Sequence, residues 1–564
     1  MNPDAPPPYT ADERKAATFA EVAKRVVEST DSPEVLEEAL EAFKHFLASQ
    51  ENVTLSKNQL KVLKSQGVLV LEETAKFLRS GGDGSDILPK VASIFLTASE
   101  NLESQTKWDV VIKERNGPDQ LNSIISNAFE SFESELRELL KGRDTESTAN
   151  KEELQKAREE DQRRIAELHA LVPQTSSGLN LANLVRESMN RELKIIGDRT
   201  ISQPNQEPQT EAKKSLAVLT ELTGTSLPPS TLLGREFVTI GNHAIHQGSS
   251  YDVFLGEYFT GEKIAIKVLR HRVDEETGKK MHQRFARQTV NWSSLRHDAI
   301  LPFYGIGLVD SPVVPGEFQL YLVSPYMQNR DVKSYLKKYP KATLRARLQM
   351  ILDVARGLYH MHEAVELGEA GHGIVHSALN VYNVLIKDSG RAVISGFGHA
   401  KIIKDFQESF TGDNSEYRYM GPELMQDEAH ITYGTDIYAW AMTALEILTD
   451  VPPFGEKTKG PKIIQKVATG QKPDRSEHPK LELYASRDEL WSILEQCWNP
   501  NPNNRPTADQ VVQWLKPLLQ LGKASQATEQ RPPPPGRKSD ELEEGESRKP
   551  SAQASPPPPP PPKP

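Results

Sequence analysis

The chain has 564 residues, with 68 lysines and arginines against 78 aspartates and glutamates and a formal net charge of −10. This length predicts three or four domains. The net charge is negative and the sequence has no basic stripe, which argues against nucleic-acid binding. No apolar run approaches membrane-spanning length. The single cysteine, Cys497, leaves no role for disulfides. Together with an N-terminus that lacks the features of a signal peptide, it predicts a cytoplasmic protein.

Residues 1–12 are predicted to be disordered. They contain Pro-Pro-Pro-Tyr at residues 6–9, a pattern that WW domains bind, although four residues also recur by chance.

Residues 13–173 are predicted to form an all-α bundle with a brace helix. Phe43, Phe46 and Leu47 have helical spacing, and breaks fall at residues 81–84 and 117–118. The charged stretch 151–171 carries a narrow apolar seam that suits a helix lying along a partner domain or in a short coiled coil. The segment 1–173 holds 22 lysines and arginines against 32 aspartates and glutamates, a charge of −10. A surface of this sign is poorly suited to anionic lipid, so we expect the bundle to serve oligomerisation or the binding of partner proteins rather than a membrane.

Residues 174–225 are predicted to hold one helix over 180–196, followed by a linker at 203–208 that contains two prolines.

Residues 226–524 carry a series of short motifs in a fixed order. In sequence these are Gly248 within a degraded glycine-rich loop, Ala-Ile-Lys-Val at 265–268, Ser-Pro-Tyr-Met at 324–327, His376 to Leu385, Ser-Gly-Phe-Gly at 395–398, Gly-Pro-Glu at 421–423, Asp436, and Asn-Arg-Pro at 504–506. The set resembles the protein kinase superfamily, in particular its tyrosine-kinase-like and tyrosine kinase groups. The resemblance implies an α+β fold: a bilobal kinase domain, here preceded by the helical bundle.

The same resemblance implies an ATP site. Its predicted residues are Gly248, Val253, Ala265, Lys267, Met327, Asn383 and Leu385. It also implies that Asp436 caps the catalytic loop and that Glu423 pairs with Arg505. For the apolar residues among the predicted contacts, ordinary core packing remains an equal alternative.

Four positions depart from the kinase pattern, and each departure removes a chemical group. Ala378 replaces the aspartate that accepts the substrate proton, and Gly396 replaces the aspartate that binds Mg²⁺. Asn380 replaces a lysine of the catalytic loop, and Gln288 stands where a glutamate would pair with Lys267. We therefore expect no metal site, and binding of ATP without metal or no cofactor at all. Substitution of a lost acid by a nearby one, such as Asp388, is the alternative.

Residues 525–564 are predicted to be a disordered, proline-rich tail with seven consecutive prolines at 556–562. Such runs favour the polyproline helix that SH3, WW and profilin-type grooves bind, and an unselected low-complexity tail is the alternative.

A helical bundle followed by a degenerate kinase domain is similar in architecture to the mixed-lineage-kinase-domain-like pseudokinase. The leading interpretation is a pseudokinase signalling scaffold or switch that is not an enzyme and that binds other proteins through the bundle and the kinase-like domain. Two alternatives stay open. One is an active or atypical protein Ser/Thr/Tyr kinase that transfers phosphate from ATP, and the other is an effector bundle that the kinase-like domain restrains.

Overall fold

The computed structural model describes most of the chain and none of residues 530–564. The described residues are 9–30, 33–104, 112, 117–140, 147–172, 181–197, 207–228, 230–247, 251–274, 276, 295–310, 316–364, 373–396, 416–425 and 430–529. Residues 530–564, most of the predicted tail, and the Pro-Pro-Pro stretch at residues 6–8 therefore lie outside the described residues. Residues 525–529, which were predicted to belong to the disordered tail, are instead the end of the last helix.

The N-terminal part is helical, and we call residues 11–223 the helical region. Its described helices are α1 (Ala11–Ala16), α2 (Phe19–Glu28), α3 (Glu37–Glu51), α4 (Lys57–Arg79), α5 (Ile87–Glu103), α6 (Gly117–Leu139), α7 (Ser147–Leu171), α8 (Leu181–Gly197) and α9 (Glu207–Thr223). The first helix begins inside the segment that was predicted to be disordered. The side chain of Thr10 accepts from the backbone of Glu13, and the Glu13 carboxylate accepts from the backbone of Thr10. This capping box satisfies two amide groups at the helix start.

The core of the helical region is aromatic. Phe43 and Phe46 of α3 contact Phe95 of α5, with ring centroids 5.1 and 5.6 Å away, and Phe132 of α6 lies 5.1 Å from Phe95. Gly67 of α4 faces this cluster, and a Cβ there would lie 3.1 Å from the Phe95 ring. The helical spacing seen in the sequence therefore corresponds to one buried face on each helix.

The charged helix α7 packs along α4. Ile165 and Leu168 of its seam are buried. The carboxylate of Asp161 accepts from the backbone amides of Asn58 and Gln59, at 3.2 and 3.0 Å. Those amides belong to the first turn of α4, which Ser56 does not cap with its own side chain. Asp161 therefore supplies the missing cap from a neighbouring helix.

Helix α9 was not predicted, because Pro208 had been taken as part of a linker. Proline is tolerated in the first turn of a helix, and Pro208 is the second residue of α9. Leu216, Leu219 and Leu222 are buried in the same core cluster as Phe237 of the following domain. Their spacing of three residues was the signal in the sequence.

A five-stranded antiparallel sheet follows, in the order β1-β2-β3-β5-β4. The strands are β1 (Val238–Gln247), β2 (Tyr251–Tyr258), β3 (Lys263–Asp274), β4 (Gly305–Asp310) and β5 (Glu317–Pro325). A mainly helical lobe completes the domain, and the α+β prediction is confirmed. This lobe contains α10 (Val332–Lys338), α11 (Leu344–Glu363), the hairpin β6 (Val384–Ile386) and β7 (Ala392–Ile394), α12 (Tyr433–Thr449), α13 (Gly460–Ala468), α14 (Arg487–Cys497) and α15 (Ala508–Glu529).

The larger lobe is built around α12, whose residues from Thr435 to Thr449 are all buried. Arg505 donates to both oxygens of Glu423, each at 2.7 Å, in the ion pair that the sequence predicted. A bidentate pair of this kind fixes two segments in one orientation.

The helical region contacts the larger lobe at the turn between β6 and β7. The backbone amide of Phe19 donates to the carbonyl of Asp388 at 2.6 Å, and Lys387 pairs with Glu51 at 2.9 Å. The chain divides into a compact unit of residues 1–520 and a second unit of residues 521–564. No described helix has both the length and the apolar composition needed to cross a bilayer.

Candidate functional site

The predicted ATP contacts that the structure describes lie on β2 and β3, on the segment that follows β5, and at the start of the β6–β7 hairpin of the larger lobe. Val253 on β2 pairs with Lys267 on β3, and Ala265 pairs with Ser324 of β5. Leu385 is the central residue of β6 and forms a bridge with Asp331. Val253, Ala265, Met327 and Leu385 are all half-buried, which suits the walls of an open cleft. Gly248 and Gln288 lie outside the described residues.

Lys267 is the main cationic group predicted at this site. Burial of its ammonium lowers the pKa of Lys267 to about 8. The ammonium lies 5.2 Å from the centre of the Tyr251 ring, in a cation–π arrangement. In the sequence, Tyr251 stands where the kinase pattern has the third glycine of the glycine-rich loop, and this position by itself indicates only that the side chain adds bulk there. Its contact with Lys267 depends on the pairing of β2 with β3.

The frame of the catalytic loop is intact. The carboxylate of Asp436 accepts from the backbone amides of His376 and Ser377, each at 2.8 Å, as the sequence predicted. It also contacts Nε2 of His362 at 2.9 Å. The ring of His376 reaches the carbonyl of Ser395 at 3.0 Å, and burial lowers the pKa of His376. The loop is therefore held in place by buried hydrogen bonds.

Within that frame, the reactive positions carry no acid. The methyl side chain of Ala378 cannot accept a proton. The side chain of Asn380 turns into the loop, where its oxygen accepts from the backbone amides of Tyr382 and Asn383 at 2.9 and 3.1 Å. Asn380 thus stabilises the turn and contributes no positive charge. The sequence predicted the loss of charge at this position but not the structural role of the amide.

Asn383 and Gly396 meet where the kinase pattern would place metal ligands. The Asn383 amide donates to the carbonyl of Ala378 at 2.7 Å. Gly396 has a φ of +83°, and a Cβ built on it would lie 2.5 Å from Oδ1 of Asn383. The space for a carboxylate side chain is therefore filled by the Asn383 amide. Residue 396 offers no carboxylate oxygen, and Mg²⁺ in proteins is usually held by one or two carboxylates together with waters and substrate phosphates, so the described residues do not form the usual site.

Asp388 does not substitute for a lost acid. It lies on the turn between β6 and β7, and its charged neighbours are Lys64, Glu51 and Glu21 of the helical region. Burial raises the pKa of Asp388, with Lys64 opposing that shift. No group of three or more histidine, cysteine, aspartate or glutamate side chains in the described part of the chain could hold a metal ion.

Comparison with known sequences agrees with the motif frame described above. Residues 240–515 match the family described as protein tyrosine and serine/threonine kinase. This segment is a protein kinase domain. Such a domain implies a binding site for ATP. Val253, Ala265, Met327 and Leu385 stay the predicted contacts of the adenine, and Lys267 stays the predicted contact of the phosphates.

Three relatives illustrate the similarity. Serine/threonine/tyrosine-protein kinase HT1 of Arabidopsis thaliana is 25% identical over 289 residues, which are 50% of this chain and 65% of that protein. Serine/threonine-protein kinase 12 of the same organism is 26% identical over 265 residues, 46% of this chain and 52% of that protein. Serine/threonine-protein kinase TNNI3K of Homo sapiens is 26% identical over 258 residues, 45% of this chain and 28% of that protein. The match thus spans from about a quarter to two thirds of these relatives.

These comparisons correct one prediction. The loss of both aspartates led us to expect that the chain is not an enzyme, and that expectation is wrong on this comparison. The relatives are named serine/threonine or serine/threonine/tyrosine protein kinases, which points to an enzyme. The expectation rested on a few positions of the cleft, whereas the similarity to these relatives extends over 258 to 289 residues.

Proposed function

We propose that this chain is a signalling scaffold or switch whose kinase domain binds ATP without metal and transfers its phosphoryl group slowly. The arrangement of Asn383 and Gly396 is the observation that carries the proposal. The amide of Asn383 is bonded to the Ala378 carbonyl, and it fills the space of the missing carboxylate. Loss of a general base typically lowers a rate by about 10²–10⁴-fold.

The residues of the cleft have separate roles in this proposal. Val253, Ala265 and Leu385 pack against the adenine, and the ammonium of Lys267 attracts the phosphates. ATP supplies the phosphoryl group, and its contacts with the cleft supply the free energy of binding that would shift the switch. Ala378 leaves the hydroxyl of a protein substrate without a base, so a proton would leave to water.

A link between the cleft and the helical region supports the role as a switch. Leu385 lines the cleft, and two residues further along the chain Lys387 pairs with Glu51 of α3 at 2.9 Å. The next residue, Asp388, accepts from the backbone of Phe19 at 2.6 Å. A ligand that moves β6 would therefore act on contacts that hold α2 and α3.

Thermal unfolding with ATP, in EDTA and with Mg²⁺, tests the proposal. ATP at one hundred times its dissociation constant should stabilise the folded chain by about 2.7 kcal/mol. We expect the same shift in both conditions, and a smaller one in Lys267→Ala, which keeps the adenine contacts but lacks the ammonium. A shift that requires Mg²⁺ would contradict metal independence, and no shift in either condition would contradict ATP binding.

An active protein kinase is the second candidate, because the relatives are named protein kinases. A radiolabelled transfer assay separates the two candidates, with Lys267→Ala as the control. Transfer near the 1–100 s⁻¹ typical of kinases would favour the active enzyme. Transfer slower by about 10²-fold or more would favour the switch.

The proposal includes partners and location. The helical region and the kinase domain would bind other proteins, and the proline-rich ends would bind SH3, WW or profilin-type domains. A cytoplasmic location accords with the single, buried cysteine, Cys497. Pull-down with the whole chain, and with a variant in which prolines 556–562 are replaced by serines, tests the contribution of the tail.

A further inference from the structure

Tyr251 lies on the face of β2 that also carries a predicted adenine contact. Side chains alternate along a strand, so Tyr251 and Val253 point to the same side of the sheet. In the pairing of β2 with β3, Val253 is opposite Lys267 and Tyr251 is opposite Leu269. Lys267 and Leu269 also share one face by the same alternation. Tyr251 is therefore the next residue after Val253 on this face of β2. It lies beside Lys267, on the side away from the adenine end.

The Tyr251 ring is held in this position by apolar contacts. It packs against a small core cluster formed by Leu269, Ile306, Leu320 and Leu322. From there, its ring centre lies 5.2 Å from the ammonium of Lys267. A cation–π contact of this kind is attractive, because the face of the ring carries negative charge density. The face of an aromatic ring thus occupies one side of the cation that phosphate oxygens would approach.

We propose that Tyr251 closes the phosphate end of the cleft, so that a nucleotide must displace its ring before its phosphates reach Lys267. This inference rests on the proposed function, in which the cleft binds adenine nucleotides. Adenosine would bind without moving Tyr251. Each nucleotide whose phosphates need Lys267 would bind less tightly by the cost of breaking the ring contact. Tyr251 is therefore a residue that determines specificity between nucleoside and nucleotide.

The test measures adenosine, ADP and ATP binding to the whole chain in EDTA by titration calorimetry. Tyr251→Gly removes the ring, and we expect it to bind ATP about tenfold more tightly than the wild type, with ADP changed in the same direction. Adenosine affinity should change less than about twofold, because no phosphate is involved. Tyr251→Phe keeps the aromatic face and should match the wild type for all three ligands.

Tyr251→Leu provides a second test in case Tyr251→Gly does not fold. Leucine keeps the apolar contact with the Leu269 cluster but has no aromatic face, so we expect Tyr251→Leu to bind ATP more tightly than Tyr251→Phe. Equal ATP affinity in these two variants, or an equal gain for adenosine and ATP, would overturn the inference and leave ATP binding intact. Absence of binding by all three ligands to the wild type and to Tyr251→Leu would overturn the proposed function and this inference with it.

Discussion

Asn383 shows how a residue of the kinase pattern can be kept while its usual role is changed. Its identity matches the pattern, yet its amide donates to the carbonyl of Ala378 at 2.7 Å. That contact depends on Gly396, because any side chain at residue 396 would displace the amide. The loss at 396 and the new role at 383 are therefore one structural change.

Restoring the carboxylate should reverse this change. In Gly396→Asp the new Cβ would lie 2.5 Å from Oδ1 of Asn383, so the amide must leave the Ala378 carbonyl. We expect a loss of about 1–3 kcal/mol in the free energy of unfolding, measured in urea. We also expect the ATP-induced thermal shift to become dependent on Mg²⁺, since a carboxylate is now available.

Gly261→Asp is the matched control for that variant. Gly261 has a φ of +84°, close to the +83° of Gly396, and nothing lies within 4 Å of its added Cβ. Gly261→Asp should therefore lose the stability that a side chain at positive φ costs, but it displaces no amide. Equal destabilisation by the two substitutions would show that Asn383 is not held as described.

The pKa of Lys267 predicts how nucleotide affinity depends on pH. Burial lowers this pKa to about 8, so the ammonium is charged below pH 8 and increasingly neutral above it. Phosphates favour the charged form, and ATP affinity should therefore fall as pH rises above about 8, by at most tenfold per pH unit. Adenosine affinity should not change. Calorimetry at several pH values measures both, and an unchanged pH profile in Lys267→Met would assign the effect to another group.

At the scale of elements, α7 stabilises α4 through one buried carboxylate. Asp161→Ala would leave the amides of Asn58 and Gln59 without their acceptor in a buried position. We expect a loss of about 1–3 kcal/mol in the free energy of unfolding, measured in urea. Asp161→Asn keeps one acceptor oxygen and should lower the free energy of unfolding by less. Gln162→Ala, at an exposed position of the same helix, should stay within about 0.5 kcal/mol of the wild type. If Gln162→Ala lowered the free energy of unfolding as much as Asp161→Ala, Asp161 would not act as the cap of α4.

For the whole molecule, the turn between β6 and β7 is the point at which the kinase domain contacts the helical region. Gly390 has a φ of +79°, and an added Cβ would lie 3.0 Å from the Phe19 ring. Gly390→Ala should therefore loosen this contact and speed hydrogen exchange in Phe19–Glu28, measured by mass spectrometry.

Gly261→Ala serves as the control for Gly390→Ala, since it has a similar φ and open space around the added methyl group. Both variants should lose roughly 1–2 kcal/mol from the left-handed backbone. Only Gly390→Ala should change exchange in α2. The same exchange in both variants would show that Phe19 does not depend on this turn.

The sequence by itself determined the order of the motifs, the helical N-terminal region and the chemical groups missing at residues 378 and 396. These follow from residue identity and local spacing, which are properties of the chain alone. Helix α9 was missed for a local reason, because proline both breaks helices and begins them. Only the tertiary structure decided that Asp161 caps α4, that Tyr251 stacks on Lys267, and that Asn383 fills the space beside Gly396. Each of these contacts joins separate segments, and its geometry is fixed by packing rather than by sequence spacing.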